Sequence, residues 1–299
     1  MRRQLWKAIV AELRGLDKPP RPPRRPGPPL RFSDRRILEV YFFAVVRRLP
    51  VAHACDRRSW PIHLRGRPLP SPATMSRRLR TKSVRDLLTA LDRAVVRVPG
   101  EGLANWIDSM PIRIGPSSGD ADAAFGHAGG VKANGYRLHL FLRGDGSVAD
   151  WRLTPMNVDE RGVAKWMIRS VDASGYLVGD GNFDVNALHA ECEARGDLRL
   201  IAPKRKGGFG HRKHHPGRRA SAALLGFPKE DPSVPPPGPF AVALTTGRVA
   251  IERFFGVLKS AASGLGSLPA WVRTNARVRP FVTAHLILDA LRRRGLAAE

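Results

Sequence analysis

The stretch from Trp106 to Pro203 constrains the fold most, because its apolar pattern changes period several times within a short length. WIDSMPIRI (106–114) alternates as a strand does. GYRLHLFLR (135–143) and SVADWRL (147–153) read as two more strands, joined by Gly144-Asp145-Gly146, a good hairpin turn. Residues 157–170 suit a helix, and GYLVGD (175–180) a buried strand. DVNALHAECEARG reads as a helix with Asp184 as N-cap and Gly196 past its end, and LRLIAP (198–203) as a further strand. Residues 203–240 read as irregular, GGFGHRKHHPGRR being followed by a Pro-rich tract. A helix at Arg248 and a last apolar helix at about 280–294 close the chain. Three strands, then alternating helices and strands (βββ-α-β-α-β), predict an α/β chain with a mixed sheet and helices on its faces.

Charge narrows the class of partner. The 299 residues carry 51 Lys and Arg against 26 Asp and Glu, a net +25. Residues 1–98 hold 24 of the bases and 7 of the acids, hence +17 of that total. Such a surplus marks a polyanion binder, with nucleic acid favoured over a membrane. No run of 18 uncharged apolar residues occurs, so no membrane span is expected. Two cysteines, Cys55 and Cys192, give neither a disulfide framework nor zinc spacing, which fits a reducing, intracellular compartment.

The basic front end, residues 1–98, reads as helical. A helix at about 3–15 leads into KPPRPPRRPGPP (18–29), a polyproline-prone linker. Ser33 caps DRRILEVYFFAVVRRL, which Pro50 stops; a short helix at about 51–58 follows. Ser71 and Pro72 start a basic helix from which Arg77, Arg78 and Arg80 project outward, and Ser83 caps SVRDLLTALDRAVV. This is the pattern of a DNA-binding or dimerisation region, either a helix-turn-helix reader or a generic basic bundle.

Three carboxylates stand where such a fold would converge them. Asp108 lies inside the first strand, where an acid is costly unless paired or metal-bound. Asp180 ends the fourth strand, at the end that opens into the crevice of such sheets. The topology makes those two strands neighbours. In RVAIERFFGVLK (248–259), Arg248, Glu252 and Lys259 fall within about 40° on one helical shoulder. Ile251, Phe254, Phe255, Leu258 and Ala262 form a separate apolar stripe. Three acids without cation partners repel, and Mg²⁺ or Mn²⁺, two ions for phosphodiester displacement, resolves that. Each acid also has a plain structural reading: an Arg partner for Asp108, a turn for Asp180, Arg248 for Glu252.

The other polar candidates read as structural. Lys204, Arg205 and Lys206, with His211, His214 and His215, suit a phosphate-binding loop. His189 and Cys192, at i and i+3 of one helix, suit packing, as do His139 and the tryptophans. Asp159 and Glu160 suit a helix start, where the dipole favours acids.

Taken together, these motifs resemble the DDE-type transposases of bacterial insertion sequences. WIDSMPI resembles the first-Asp motif and VGDGNFDVNALHAECEARG the second. GYRLHLFLRGDGSVADWRLTPMNVDE is similar to the strand pair and turn between them. R-x3-E-x6-K at 248–259 matches most of a Tyr-x2-Arg-x3-Glu-x6-Lys signature, whose Tyr position is here Thr245. The resemblance implies a ribonuclease-H-like domain over 100–299 behind the helical region. It implies Asp108, Asp180 and Glu252 as catalytic metal ligands for Mg²⁺ or Mn²⁺, with Arg248 and Lys259 on double-stranded DNA. It implies a cytoplasmic, nucleoid-associated protein whose pairing of two DNA ends is compatible with a homodimer. A catalytically silent DNA-binding descendant and a different ribonuclease-H-like nuclease stay open as alternatives.

Overall fold

The computed structural model describes residues 3–16, 30–100, 102–115, 119–204, 214–227, 235–260 and 264–296. The expected linker at 18–29, Arg205, Lys206, His211 and Ala262 lie outside the described residues. Among the described residues no helix is long and apolar enough to cross a membrane.

Five helices come first: α1 (Arg3–Gly15), α2 (Asp34–Arg47), α3 (Val51–Ala54), α4 (Pro72–Arg78) and α5 (Lys82–Val95). Ser33 caps α2 by accepting from the Arg36 amide, and Ser71 caps α4 by accepting from Thr74, with Pro72 in the first turn. Helix α5 starts behind Thr81, two residues earlier than the expected Ser83 cap. A second expectation also fails. Arg78 does not project outward: it lies three residues from buried Met75, on the same face of α4, and is itself buried. Its guanidinium donates to the Phe32 carbonyl at 3.0 Å and pairs with Asp34 at the start of α2. Arg77 and Arg80 are exposed, as expected. Aromatic packing fixes these helices: the Phe43 and Trp60 rings stack at 3.9 Å, and Trp6 meets Trp60 edge-on at 5.6 Å.

A six-stranded mixed sheet follows, built from β1 (Ala104–Arg113), β2 (Ala124–Ala128), β3 (Val131–Arg143), β4 (Val148–Pro155), β5 (Gly175–Val178) and β6 (Leu198–Ile201). Helix α6 (Glu160–Ser170) connects β4 to β5, and α7 (Asn186–Arg195) connects β5 to β6. The strand order is β2-β3-β1-β5-β6, with β4 also paired to β3. Strands β1 and β3 are antiparallel, while β5 runs parallel to β1 and β6 parallel to β5. Four strands, not three, therefore precede the first crossover helix. The extra one, β2, is a five-residue strand turned back onto β3 by Gly129 and Gly130, at φ of 65° and 85°. Glycine takes both positions without steric cost. On one face of the sheet, Ile107, Phe141, Leu177 and Leu200 pack against Ala164, Met167 and Ile168 of α6 and Leu188 and Cys192 of α7.

Helix α7 begins behind Val185, and Asp184 is not its cap. Asp184 is instead buried, gripped by Arg218 through two bonds of 2.7 and 2.8 Å, with His189 at 3.6 Å. Arg218 belongs to α8 (Pro216–Leu224), a helix inside the stretch expected to be irregular. Pro216 opens it at a position where a missing N–H costs nothing. Helices α9 (Pro239–Gly247), α10 (Val249–Lys259) and α11 (Asn275–Leu296) complete the chain. The expected apolar stripe of α10 is buried through Ile251, Phe254, Phe255 and Leu258.

By packing, the chain forms two compact units. One joins Met1–Val96, Ser117–Ala121 and Ser260–Glu299; the other comprises Arg97–Pro116 and Asp122–Lys259. Helix α11 thus packs with α1, α2 and α5, within the first unit.

Candidate active site

The site is made by a mismatch of strand lengths. Strand β1 has ten residues, but β5 pairs only with its start, Ala104 to Trp106 opposite Tyr176 to Val178. Beyond that point the outer edge of β1 has no strand beside it, and a crevice of about 690 Å³ opens, lined by Asp108, Ser109, Arg137, Glu160, Asp180 and Asn182 among others. Asp108 lies two residues past Trp106, and Asp180 two residues past Val178. Both acids line that crevice, and the Asp180 charge acts on the Asp108 carboxyl.

Local backbone holds each aspartate. Asp180 starts a single 3₁₀ turn, Gly181–Phe183, and its Oδ1 accepts the Asn182 amide at 2.8 Å. The Oδ1 of Asp108 accepts the Ser109 amide at 2.7 Å. Its Oδ2 faces Arg248 Nη1 at 3.4 Å, and the second guanidinium nitrogen of Arg248 donates to Glu252. One arginine at the junction of α9 and α10 thus ties the acid on β1 to the acid one turn into α10. Glu252 is half exposed, whereas Asp108 is mostly covered.

Electrostatics follow from that packing. Burial pushes the Asp108 carboxyl up to about 6. The Ser109 amide and Arg248 pull the other way, while the Asp180 and Glu252 charges push it further up. A carboxylate so placed gains from any cation that enters the crevice. Among the described residues no three His, Cys, Asp or Glu side chains enclose a metal position on their own. Two carboxylates beside an open crevice nevertheless fit the donor set of a hard divalent ion that takes its remaining ligands from water and phosphate.

The other expected residues separate. Lys259 is exposed at the last position of α10, two turns beyond Glu252 on its shoulder. Lys204 is half-buried just past β6. His214 and His215 are engaged by packing, not by an open loop: His214 meets Arg218 Nη1 at 3.0 Å, and His215 caps α8 and reaches Glu193 at 3.0 Å. His139 is buried against Thr154 at 2.9 Å and is held down to about 4, by burial first and by Arg137 second. Thr245 turns its hydroxyl back onto the Ala241 and Val242 carbonyls of its own helix. Asp159 is the cap of α6.

Glu160 is what the sequence reading missed. Its carboxylate faces the crevice, accepting from Ser109 Oγ and Asn182 Nδ2, each at 3.0 Å, and from Arg137. The available signal was Arg137, a cation between Tyr136 and Leu138 in a strand, where a counter-charge is required if it is covered.

The family model described as the Transposase DDE domain matches residues 87–270, a span containing Asp108, Asp180, Arg248 and Glu252; the chain belongs to that family. No curated protein matches the chain. Among solved structures it is similar to a chain of the cryo-EM structure of the piggyBac transposase synaptic complex with hairpin DNA. That likeness has 10% identity and a TM-score of 0.49, and covers 96% of this chain and 70% of that one.

Proposed function

We propose that the chain is an insertion-sequence transposase of bacterial type. It cuts DNA strands at the ends of its element and joins the freed 3′ ends to target DNA, with Asp108, Asp180 and Glu252 holding Mg²⁺ or Mn²⁺. The observation that carries this reading is that Asp108 on β1 and Asp180 just past β5 line one crevice, with Asp108 linked through Arg248 to Glu252. Family membership supports it. A strand order of β4-β3-β1-β5-β6 around a central β1 supports a ribonuclease-H-like sheet.

Bound divalent ions supply activation of the attacking oxygen and charge neutralisation at the leaving one. The chain's own part is positional. The Ser109 and Asn182 amides each hold Oδ1 of an aspartate, and Asp108 Oδ2 is left to Arg248. Arg248 compensates Asp108 and Glu252 before an ion enters, and turns to a phosphate afterwards. Lys259, about 10 Å further along the shoulder at 1.5 Å per residue, meets the backbone beyond the cut. Arg77 and Arg80 bind phosphates of the element end, as Lys204, Arg205 and Lys206 do in the basic loop. Two copies pair two ends as a homodimer.

The test is nicking of a labelled duplex bearing the inverted repeats that bracket the coding region, with Mg²⁺ or Mn²⁺. Nicks at the repeat ends are expected; their absence with both ions overturns the reading. The same assay has a predicted pH profile. Only ionised Asp108 is a ligand, so the half-saturating Mn²⁺ concentration should be flat above pH 6 and rise about tenfold per unit below it. The sign for stability is opposite. A carboxyl whose folded value exceeds its unfolded one costs stability above about 6 and is relieved below it. Loss of nicking at pH 5 is therefore not unfolding caused by this group.

A further inference from the structure

Glu160 is the first residue of α6, a place where an acid usually does no more than complement the helix dipole. Here the cap is already supplied by Asp159, and the Glu160 side chain is mostly buried instead. Its two oxygens divide between the two aspartate-bearing segments. Oε1 takes the Ser109 hydroxyl at 3.0 Å, and Oε2 takes the Asn182 side-chain amide at 3.0 Å. Those are the two residues whose backbone amides hold Asp108 Oδ1 at 2.7 Å and Asp180 Oδ1 at 2.8 Å. Arg137 completes the arrangement: it pairs with Glu160, donates to Ser109 Oγ at 3.2 Å, and is fixed by the His127 carbonyl at 2.7 Å.

We propose that Glu160 is a positioning residue that sets the gap between Asp108 and Asp180, by bridging Ser109 and Asn182. This rests on the reading of the two aspartates as metal ligands. The geometry explains why a bridge is needed at this spot. Strand β5 stops at Val178, so no ladder hydrogen bond joins β1 to the Asp180 turn at the level of the two acids. Ionised, the two acids repel each other across that gap. Divalent ions of this class demand oxygen positions good to a few tenths of an ångström, and groups that orient ligands carry about 10- to 100-fold in metal affinity. Glu160 itself is not assigned as a ligand, because it holds the Ser109 hydroxyl rather than Asp108. Alternation along β1 also sends the Ser109 side chain to the opposite face from Asp108.

The test is Mn²⁺ binding to the full chain without DNA, followed by the electron paramagnetic resonance of the free ion, for Glu160→Ala, Asn182→Ala, their double variant and Asp108→Ala. Expected is a rise in Kd of about 10- to 100-fold for Glu160→Ala. Asn182→Ala should give a smaller rise, and the double variant should be no worse than Glu160→Ala, since both act through one bridge. A Kd for Glu160→Ala within twofold of the parent, with binding lost in Asp108→Ala, overturns the positioning role alone. Binding undiminished in Asp108→Ala overturns the metal reading beneath it. Should Glu160→Ala fail to fold, Glu160→Gln keeps the shape but loses one acceptor. It is then expected to weaken Mn²⁺ severalfold, and an unchanged Kd counts against the bridge.

Discussion

Asp108→Asn is expected to lower divalent-ion-dependent strand cleavage by about a thousandfold or more, with the protein at least as stable as before. The rate effect follows from removing a charged ligand oxygen from the point where transition-state charge is neutralised. Such an interaction contributes several kcal/mol, and each 1.4 kcal/mol is tenfold in rate. The stability effect has a separate origin. Burial raises the Asp108 carboxyl to about 6, and Asp180 and Glu252 raise it further, so its ionised form strains the fold at neutral pH. An asparagine keeps the acceptor for the Ser109 amide and removes the repulsion. Nicking rates and urea unfolding of the same preparation check both halves. A slow but unfolded variant, or a folded variant that still cuts within tenfold of the parent, contradicts the assignment.

Arg218→Ala is expected to cost about 3–5 kcal/mol of unfolding free energy, the penalty for stranding a buried carboxylate. Asp184 is 3% exposed and receives Arg218 through two bonds. His189 lies 3.6 Å away, and its own burial pulls its pKa down while Asp184 pulls it up. Urea unfolding at pH 7 measures the loss. Asp184→Asn combined with Arg218→Met should recover much of it, because the uncompensated charge is gone. A single-variant loss below about 1 kcal/mol would mean that the carboxylate is satisfied without its arginine. The clamp matters for the site because it fastens α8 to the segment just after the Asp180 turn.

The central sheet was legible because strand alternation survives wherever one face is buried. The sequence order made β5 the expected neighbour of β1, and Asp108 and Asp180 do line one crevice beside that pairing. What failed had specific causes. Strand β2 is too short for its alternation to stand out, although Gly129-Gly130 was a hairpin signal. Helix α8 was hidden by Pro, Gly and His at its start. Arg78 looked like its exposed neighbours, and only its partner Asp34, 44 residues away, shows why it is buried. Asp184 and Glu160 sit where helix starts favour acids, and that local rule concealed long-range partners in both cases. Fold followed from local pattern; the bonds that tune the site depend on residues distant in sequence.

The most direct test of the account replaces the divalent ion by Fe²⁺ and maps where hydroxyl radicals generated at the bound iron cut the polypeptide. The account predicts cuts confined to the segments around Asp108, Asp180 and Glu252, suppressed by excess Mg²⁺ and absent in Asp108→Asn. Cuts clustered elsewhere, or at these three segments unchanged in that variant, would contradict it.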